Sequence, residues 1–242
     1  MSFYFNNAVV IGASGTIGEA ILTRLVKDEI CPEIYAFSAS NIKNKLSNVI
    51  YGQIDYESEE SIELAAQKAS RNQSIDLVFV ATGILHKVKI MPEKTFKDLN
   101  SENLQKIFYA NTIFPAILAK YFLPKMNSKS RSIFAALSAR VGSISDNRLG
   151  GWYSYRSSKT ALNMMIKCLA IEMERKSKTC VIVGLHPGTV DSPLSKPFQA
   201  NIPKDKLFSP HYASNNLLNV IKALKPSDTG KIFSWDGNEI KP

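Results

Sequence analysis

The chain reads as a single α/β domain, a parallel sheet covered by helices on both faces, and three observations predict it. Short β-branched or aromatic runs alternate along the whole sequence with longer segments whose apolar residues recur at three and four. A length of 242 residues suits one such domain, given a soft prior of roughly 150 residues per core. The composition, 45% hydrophobic and 21% charged, excludes disordered, collagen-like and disulfide-dense classes and allows a sizeable core.

Taken in order, the first strand covers residues 8–12 and ends in the glycine-rich turn Gly12-Ala-Ser-Gly15-Thr-Ile-Gly18. The helix at 19–27 follows, with Ala20, Ile21 and Leu25 on one face. Strands at 34–38 and 49–55 precede a helix at 58–71, whose start collects Asp55, Glu57, Glu59, Glu60 and Glu63; the helix dipole favours acids there. The strand at 76–82 belongs to an apolar run, 77–85, too short to span a bilayer. A central helix at 103–123 leads to the strand at 132–138, and a helix at 155–174 places Leu162, Met164 and Met165 in the expected core. Strand 180–186, a helix at 211–223 and strand 231–235 complete the alternation. Between them, 188–210 has no clear period and carries a succession of prolines; a loop that long in a compact domain reads as a lid or binding segment. No internal repeat or low-complexity linker divides the chain, so 1–242 is read as one domain.

A net charge of +9 raises the question of an anionic partner. The lysines, however, are scattered from Lys27 to Lys241 with no dense basic run or finger motif, so a solvated surface is the reading and nucleic acid is not. Cys31, Cys168 and Cys180 are odd in number and widely spaced, which fits reduced thiols in a cytoplasmic compartment. Residues 1–10 lack the basic start and apolar stretch of an export signal, and no membrane partner is expected. His86, His186 and His211 lie far apart without a Cys or carboxylate at ligand spacing, so no metal site is expected.

The chemistry begins at the glycine turn. Glycines after a strand let backbone amides approach a pyrophosphate, and the helix that follows supplies partial positive charge. Alone the cluster is weak, because glycines also make ordinary strand-to-helix turns; its place after the first strand makes it a dinucleotide-binding candidate. Further on, Tyr155-Arg-Ser-Ser-Lys159 opens a helix, where a spacing of four puts phenol and ammonium on one face. A phenol of ordinary pKa is a poor acid or base at neutral pH, and a neighbouring cation stabilises its anion. Nine tyrosines among thirty Lys plus Arg produce about one such pair by chance. A second pair does occur, Tyr121 and Lys125, but Pro124 disturbs its helix.

Gly12 to Gly18 after the first strand, Asn111 in the central helix, Ser138 at a strand end, Tyr155-x-x-x-Lys159, and Pro187-Gly188 after the sixth strand occur in an order that resembles the short-chain dehydrogenase/reductase family over essentially the whole chain. Ser138-Ala-Arg-Val-Gly-Ser-Ile and Gly150-Gly-Trp-Tyr-Ser-Tyr155 are similar to its C-factor-like branch. The resemblance implies a Rossmann-type three-layer sandwich with a seven-stranded parallel sheet, a nicotinamide cofactor and hydride transfer coupled to proton transfer. Tyr155 would be the general acid in reduction and the base in oxidation. Lys159 would lower the Tyr155 pKa and hold the nicotinamide ribose, and Asn111 would anchor a water linking Lys159 to solvent. Gly12, Ser14, Gly15, Thr16, Ile17 and Gly18 would cradle phosphate. Asp55 would meet adenine; Ala81 and Gly83 match the strand end beside the cofactor, although Val80-Ala81-Thr82-Gly83 departs from the family's Asn-Asn-Ala-Gly. Pro187, Gly188, Val190 and Ser192 match the loop that touches nicotinamide and pyrophosphate, and 189–210 would bind substrate. Thr16, where the family more often has glycine, alters the turn.

The catalytic serine has two candidates. Three residues before Gly142 stands Ala139, so Ser138 is displaced by one, and Ser143 also suits the spacing to Tyr155; Ser138 is preferred because ligands bind at the carboxyl ends of such strands. At the end of the second strand, Phe37-Ser38-Ala-Ser40-Asn41 offers no acid to the adenosine ribose. Ser38 and Ser40 can donate to an extra phosphate and Lys43 or Lys45 can pair with it, which predicts NADP, with NAD as the alternative. The expected function is NADP(H)-dependent interconversion of a small carbonyl and its alcohol in a homodimer or homotetramer built on paired helices. A dinucleotide-binding regulatory or signalling protein is the rival, against which Tyr155, Lys159 and Asn111 weigh.

Overall fold

The computed structural model describes residues 5–242, so the first four residues of the segment read for an export signal lie outside the described residues. Among the described residues nine strands occur: β1 (Asn7–Ile11), β2 (Glu33–Ser38), β3 (Val49–Gln53), β4 (Leu77–Val80), β5 (Ser132–Leu137), β6 (Cys180–His186), β7 (Thr189–Val190), β8 (Leu207–Phe208) and β9 (Ile232–Ser234). Seven of them form one sheet in the order β3-β2-β1-β4-β5-β6-β9, every pair parallel. The helices are α1 (Thr16–Lys27), α2 (Glu59–Ala69), α3 (Ser101–Phe108), α4 (Phe114–Phe122), α5 (Tyr153–Lys176) and α6 (Pro210–Ala223).

The apolar runs of the strands are explained by burial on both sides. Ala8, Val10, Leu77, Phe79, Ile133 and Ala135 pack towards Ile21, Leu25, Leu217 and Ile221 of α1 and α6. Their alternates Val9, Ile11, Val78, Val80, Phe134 and Ala136 pack towards Ile62, Leu118, Leu162 and Ile166 of α2, α4 and α5. Period-2 side chains that meet helices on each face need apolar residues at every position. The chain moves outward from β1 to β3 and then returns to place β4 on the other side of β1. This reversal opens a crevice at the carboxyl ends of β1 and β4, the place where ligands bind in open α/β sheets.

Four expectations change in detail. The central helix is interrupted: α3 and α4 are separated by a π-helical turn, Tyr109–Ile113, which carries Asn111. The segment 188–210 is not structureless, since β7 and β8 pair in parallel across it. Met164 and Met165 are 62% and 38% exposed while Leu162 is buried, because both methionines project from the far side of α5. The third strand stops at Gln53, leaving exposed Asp55 beyond its end, and the fourth at Val80, leaving Ala81 to Gly83 in the loop at the crevice.

Candidate active site

Backbone geometry at the first turn leaves no room for a side chain at Gly12 or Gly18. Gly12 has φ +81°, and a Cβ there would lie 2.9 Å from Thr82 Cγ2. On Gly18 a Cβ would lie 2.3 Å from the Gly12 carbonyl oxygen, so α1 packs directly on the turn. The Gly12 amide donates to Phe37 O at 2.8 Å, and Gly15 to Gly12 O at 3.0 Å. The first-turn amides of Thr16, Ile17 and Gly18 have no carbonyl one turn back, which is the donor set an anion needs. Buried Thr82 Oγ1 finds no hydrogen-bond partner at the same crevice. The residues present therefore fit a dinucleotide.

At the end of β2, Ser38 is buried, and its Oγ lies 2.5 Å from Ser14 Oγ. The two loops are thereby tied together. A cavity of about 290 Å³ next to Ser38 is lined by Ser40, Asn41, Lys45 and Tyr51, with Lys45 Nζ 5.6 Å from the Tyr51 ring centroid. Lys43 is exposed and does not line it.

Tyr155 and Lys159 lie on the first turns of α5. Lys159 is 3% exposed, donates to Leu137 O at 2.8 Å and sits 5.9 Å from the Tyr155 ring centroid. A Cβ on Gly83 would lie 3.3 Å from Lys159 Nζ and 3.2 Å from Asn111 Oδ1, so three of the expected residues converge at the strand ends. Asn111 is fully buried: Oδ1 accepts from Ile84 N at 2.8 Å, and Nδ2 donates to Ile84 O at 2.9 Å and to Ser158 Oγ at 3.0 Å. The π-helical turn advances Asn111 out of α-helical register and towards α5, a distortion that recurs at functional sites. Burial pushes the Tyr155 phenol up to about 12 and pulls the Lys159 ammonium down to about 7. Desolvation disfavours the charged form of each, so the phenol is held neutral rather than lowered towards the working range.

The two serines differ in their engagements. Ser138 Oγ donates to Asn163 Oδ1 at 2.6 Å, one turn along α5 from Lys159. Ser143 Oγ accepts from Asp146 N at 3.2 Å. Both side chains are buried.

Beyond β6, Gly188 has φ +75° and no room for a Cβ against Phe208 and Trp235. Ser195 Oγ donates to Val190 O at 2.5 Å, and the Ser192 amide donates to Ser195 Oγ at 3.3 Å, tightening the start of the loop. The loop then turns back over Trp152. His86 Nε2 lies 3.1 Å from Pro193 O, the Phe198 ring lies 5.0 Å from Trp152 and 5.7 Å from His86, and Trp152 lies 6.3 Å edge-on from Tyr155. Neither His86 nor Phe198 was among the site residues read from the sequence: Phe198 falls in the 189–210 segment expected to bind substrate, and nothing local marked His86 for this place. His186, at the end of β6, is pulled down to about 4 by burial and by Arg140. The second tyrosine-lysine pair stands apart, since Tyr121 donates to Glu59 Oε2 at 2.8 Å and Lys125 lies in a short 3₁₀ turn.

Comparison with known proteins agrees with this geometry. The C-signal of Myxococcus xanthus is 29% identical over 143 residues, 59% of this chain and 81% of that protein. An uncharacterised oxidoreductase of Schizosaccharomyces pombe is 25% identical over 234 residues, 92% of this chain and 88% of that one. Among solved structures, the NADPH-bound carbonyl reductase from chicken fatty liver superposes with a TM-score of 0.85 at 21% identity, covering 99% of this chain and 95% of that chain. At that identity the superposition speaks for the fold. The short chain dehydrogenase model matches residues 6–203, which takes in the glycine turn, the π-helical asparagine and the Tyr155-Lys159 helix, and the chain belongs to that family.

Proposed function

We propose that this protein reduces a small, largely apolar carbonyl compound with NADPH, using Tyr155 as proton donor. The observation that carries the reading is the convergence of Lys159, Asn111 and Gly83 beside the glycine turn, within reach of the Tyr155 ring. A nicotinamide cofactor bound along this crevice supplies the hydride. The chain's own residues do the rest. Amides of Thr16, Ile17 and Gly18 hold phosphate, while Ser38, Ser40 and Lys45 receive the extra phosphate of NADP. Lys43, exposed and off the cavity, contributes charge only. Pro187, Gly188, Val190 and Ser192 border the nicotinamide end, and Asp55 borders the adenine. NADPH held by the structurally similar carbonyl reductase supports the cofactor choice.

A phenol near 12 is fully protonated at neutral pH, which suits donation to the alkoxide that forms when hydride reaches the carbonyl carbon. The new O–H bond takes its proton from Tyr155, and protonated Lys159 stabilises the phenolate left behind. Oxidation would run the same proton transfer in reverse, with the phenolate as base. Trp152, Phe198 and His86 wall the space over Tyr155 with rings, which favours flat apolar carbonyls over charged ones. The homo-oligomer belongs to the same reading, through the exposed faces of α4 and α5.

The test is a carbonyl panel spanning aliphatic, aromatic and acidic compounds, followed by absorbance loss with NADPH and with NADH. Turnover of aromatic carbonyls with NADPH is expected, with Lys45→Ala weakening NADPH but not NADH. Tighter NADH would overturn the cofactor assignment, and no turnover with either would overturn the activity.

A further inference from the structure

We infer that Glu93, a buried carboxylate outside the Tyr155-Lys159-Asn111 group, is a positioning residue that fixes the first turn of α5 and through it aims Tyr155. The inference rests on the reductase reading above.

Helix α5 begins badly by its own sequence. Its N-cap is Trp152, which has no capping side chain, and its first turn contains no acid. Gly150, Gly151 and Trp152 enter it with φ of +62°, +63° and +50°, and for a residue as large as Trp the left-handed region is strained. Something outside the helix has to hold this entry. Glu93, 61 residues away in sequence and 4% exposed, does so at three points. Its carbonyl oxygen accepts from the Trp152 amide at 2.5 Å, its Oε2 accepts from the Ser154 amide at 3.1 Å, and its Oε1 accepts from the Ser154 hydroxyl. A carboxylate at the amide end of a helix both satisfies orphan donors and opposes the dipole's positive end.

The placement links this clamp to the chemistry. Ser154 and Ser158 are both fully buried and, four residues apart, occupy one stripe of α5 directly beside the stripe of Tyr155 and Lys159. The segment from Ile84 to Glu93 grips that stripe at both ends. Ile84 is held by Asn111, which also donates to Ser158 Oγ, and Glu93 holds Ser154. Thr112 Oγ1 adds a bond to Ser158 O at 2.7 Å. Asn111 thus sets the Lys159 end of the pair and Glu93 the Tyr155 end. Loss of Glu93 frees the first turn, carrying the phenol off line while Lys159 and the glycine turn stay in place.

The experiment compares Glu93→Ala, Glu93→Gln and Tyr155→Phe, with active sites counted by NADPH fluorescence titration and turnover followed on the best compound of the carbonyl panel. The amide of Gln can still accept from the Ser154 amide and donate to its hydroxyl. In Glu93→Ala, kcat per NADPH-binding site should fall about 10²-fold, the scale of a misplaced reacting group, with NADPH Kd within about threefold. Glu93→Gln should recover most of the loss. Amide hydrogen exchange should quicken at Ser154 in Glu93→Ala, while Trp152, whose acceptor is the main-chain carbonyl of residue 93, and the rest of α5 stay protected. Near wild-type kcat in Glu93→Ala overturns the inference. So does a loss of kcat that parallels loss of NADPH binding and of protection along all of α5, which is a purely structural role. Full activity in Tyr155→Phe instead overturns the underlying reductase reading, and Glu93 is then not at fault.

Discussion

Tyr155 shows how far single residues can be read. Its spacing to Lys159 was visible in the sequence, as were Gly12 and Gly18, because each belongs to a local pattern; Asn111 was reached only through the family resemblance, since a single asparagine in a helix makes no pattern of its own. The protonation state of Tyr155 was not visible, since burial in the folded chain decides it. Tyr155→Phe keeps the ring and removes the proton, so kcat is expected to fall about 10²-fold or more, as for a lost general acid, with NADPH affinity unchanged by titration. The Lys159 ammonium near 7 gives a pH dependence with a definite sign. The protonated form is the one that stabilises the departing proton's phenolate, and it is present below that value. Carbonyl reduction should therefore decline as pH rises through about 7, and a rate that climbs over that range in initial-velocity measurements would contradict the role. Ser138 and Ser143 remain paired candidates. Ser138 spends its proton on Asn163 yet keeps a lone pair at the strand end, so Ser138→Ala is expected to lose more kcat than Ser143→Ala measured beside it. The reverse order would assign the role to Ser143.

Elements were legible in proportion to their period. The strands of the main sheet stood out because the central ones are covered on both faces and are apolar at most positions. The break at Tyr109–Ile113 did not, because a π-helical turn shifts register by one residue without changing composition. The pairing of β7 with β8 involves two residues on each side, too few to leave a pattern. Glu93 escaped for a related reason: the helix it caps lies far along the chain, and no local capping motif marks it. The segment 189–210, proposed to bind substrate, is where element and function would meet. Phe198 is fixed in its 3₁₀ turn against Trp152 and His86, an aromatic contact worth about 0.5–1.5 kcal/mol per pair beyond area burial. Phe198→Ala should raise KM for aromatic carbonyls several-fold, about the effect of that contact, and leave NADPH affinity intact. A change in NADPH affinity without a change in KM, measured by titration and initial rates, would place the loop over the cofactor instead.

For the whole molecule, a parallel sheet covered by helices on both faces was legible in the alternation of periods and its seven-stranded Rossmann form in the family resemblance, whereas the surface is where sequence reasoning erred. Met164 and Met165 were assigned to the core on period alone, yet α5 has a buried stripe of Leu162, Ile166 and Ala170 and an opposite stripe that it leaves open. That open side presents Met164, Cys168 and Ile171, four and then three residues apart, with exposed Ile113 just before α4. Between α4 and α5 a cavity of about 520 Å³ is lined by Ala116, Leu123, Leu169 and Met173. A helix that is apolar on two sides has a second surface to cover, and a second copy of this chain, offering the same stripe about a two-fold axis, matches it without any new chemistry. Light scattering on a sizing column should therefore give a dimer or tetramer, and Met164→Lys with Ile171→Lys should shift it to monomer while the far-UV signal of the fold persists. A wild-type monomer at micromolar concentration would leave the stripe to some other use. The positive charge of +9 then bears on assembly too, because self-repulsion across a two-fold contact weakens with salt; the oligomer should be tighter at 0.5 M than at low ionic strength, the opposite of what an ion-pair interface would give.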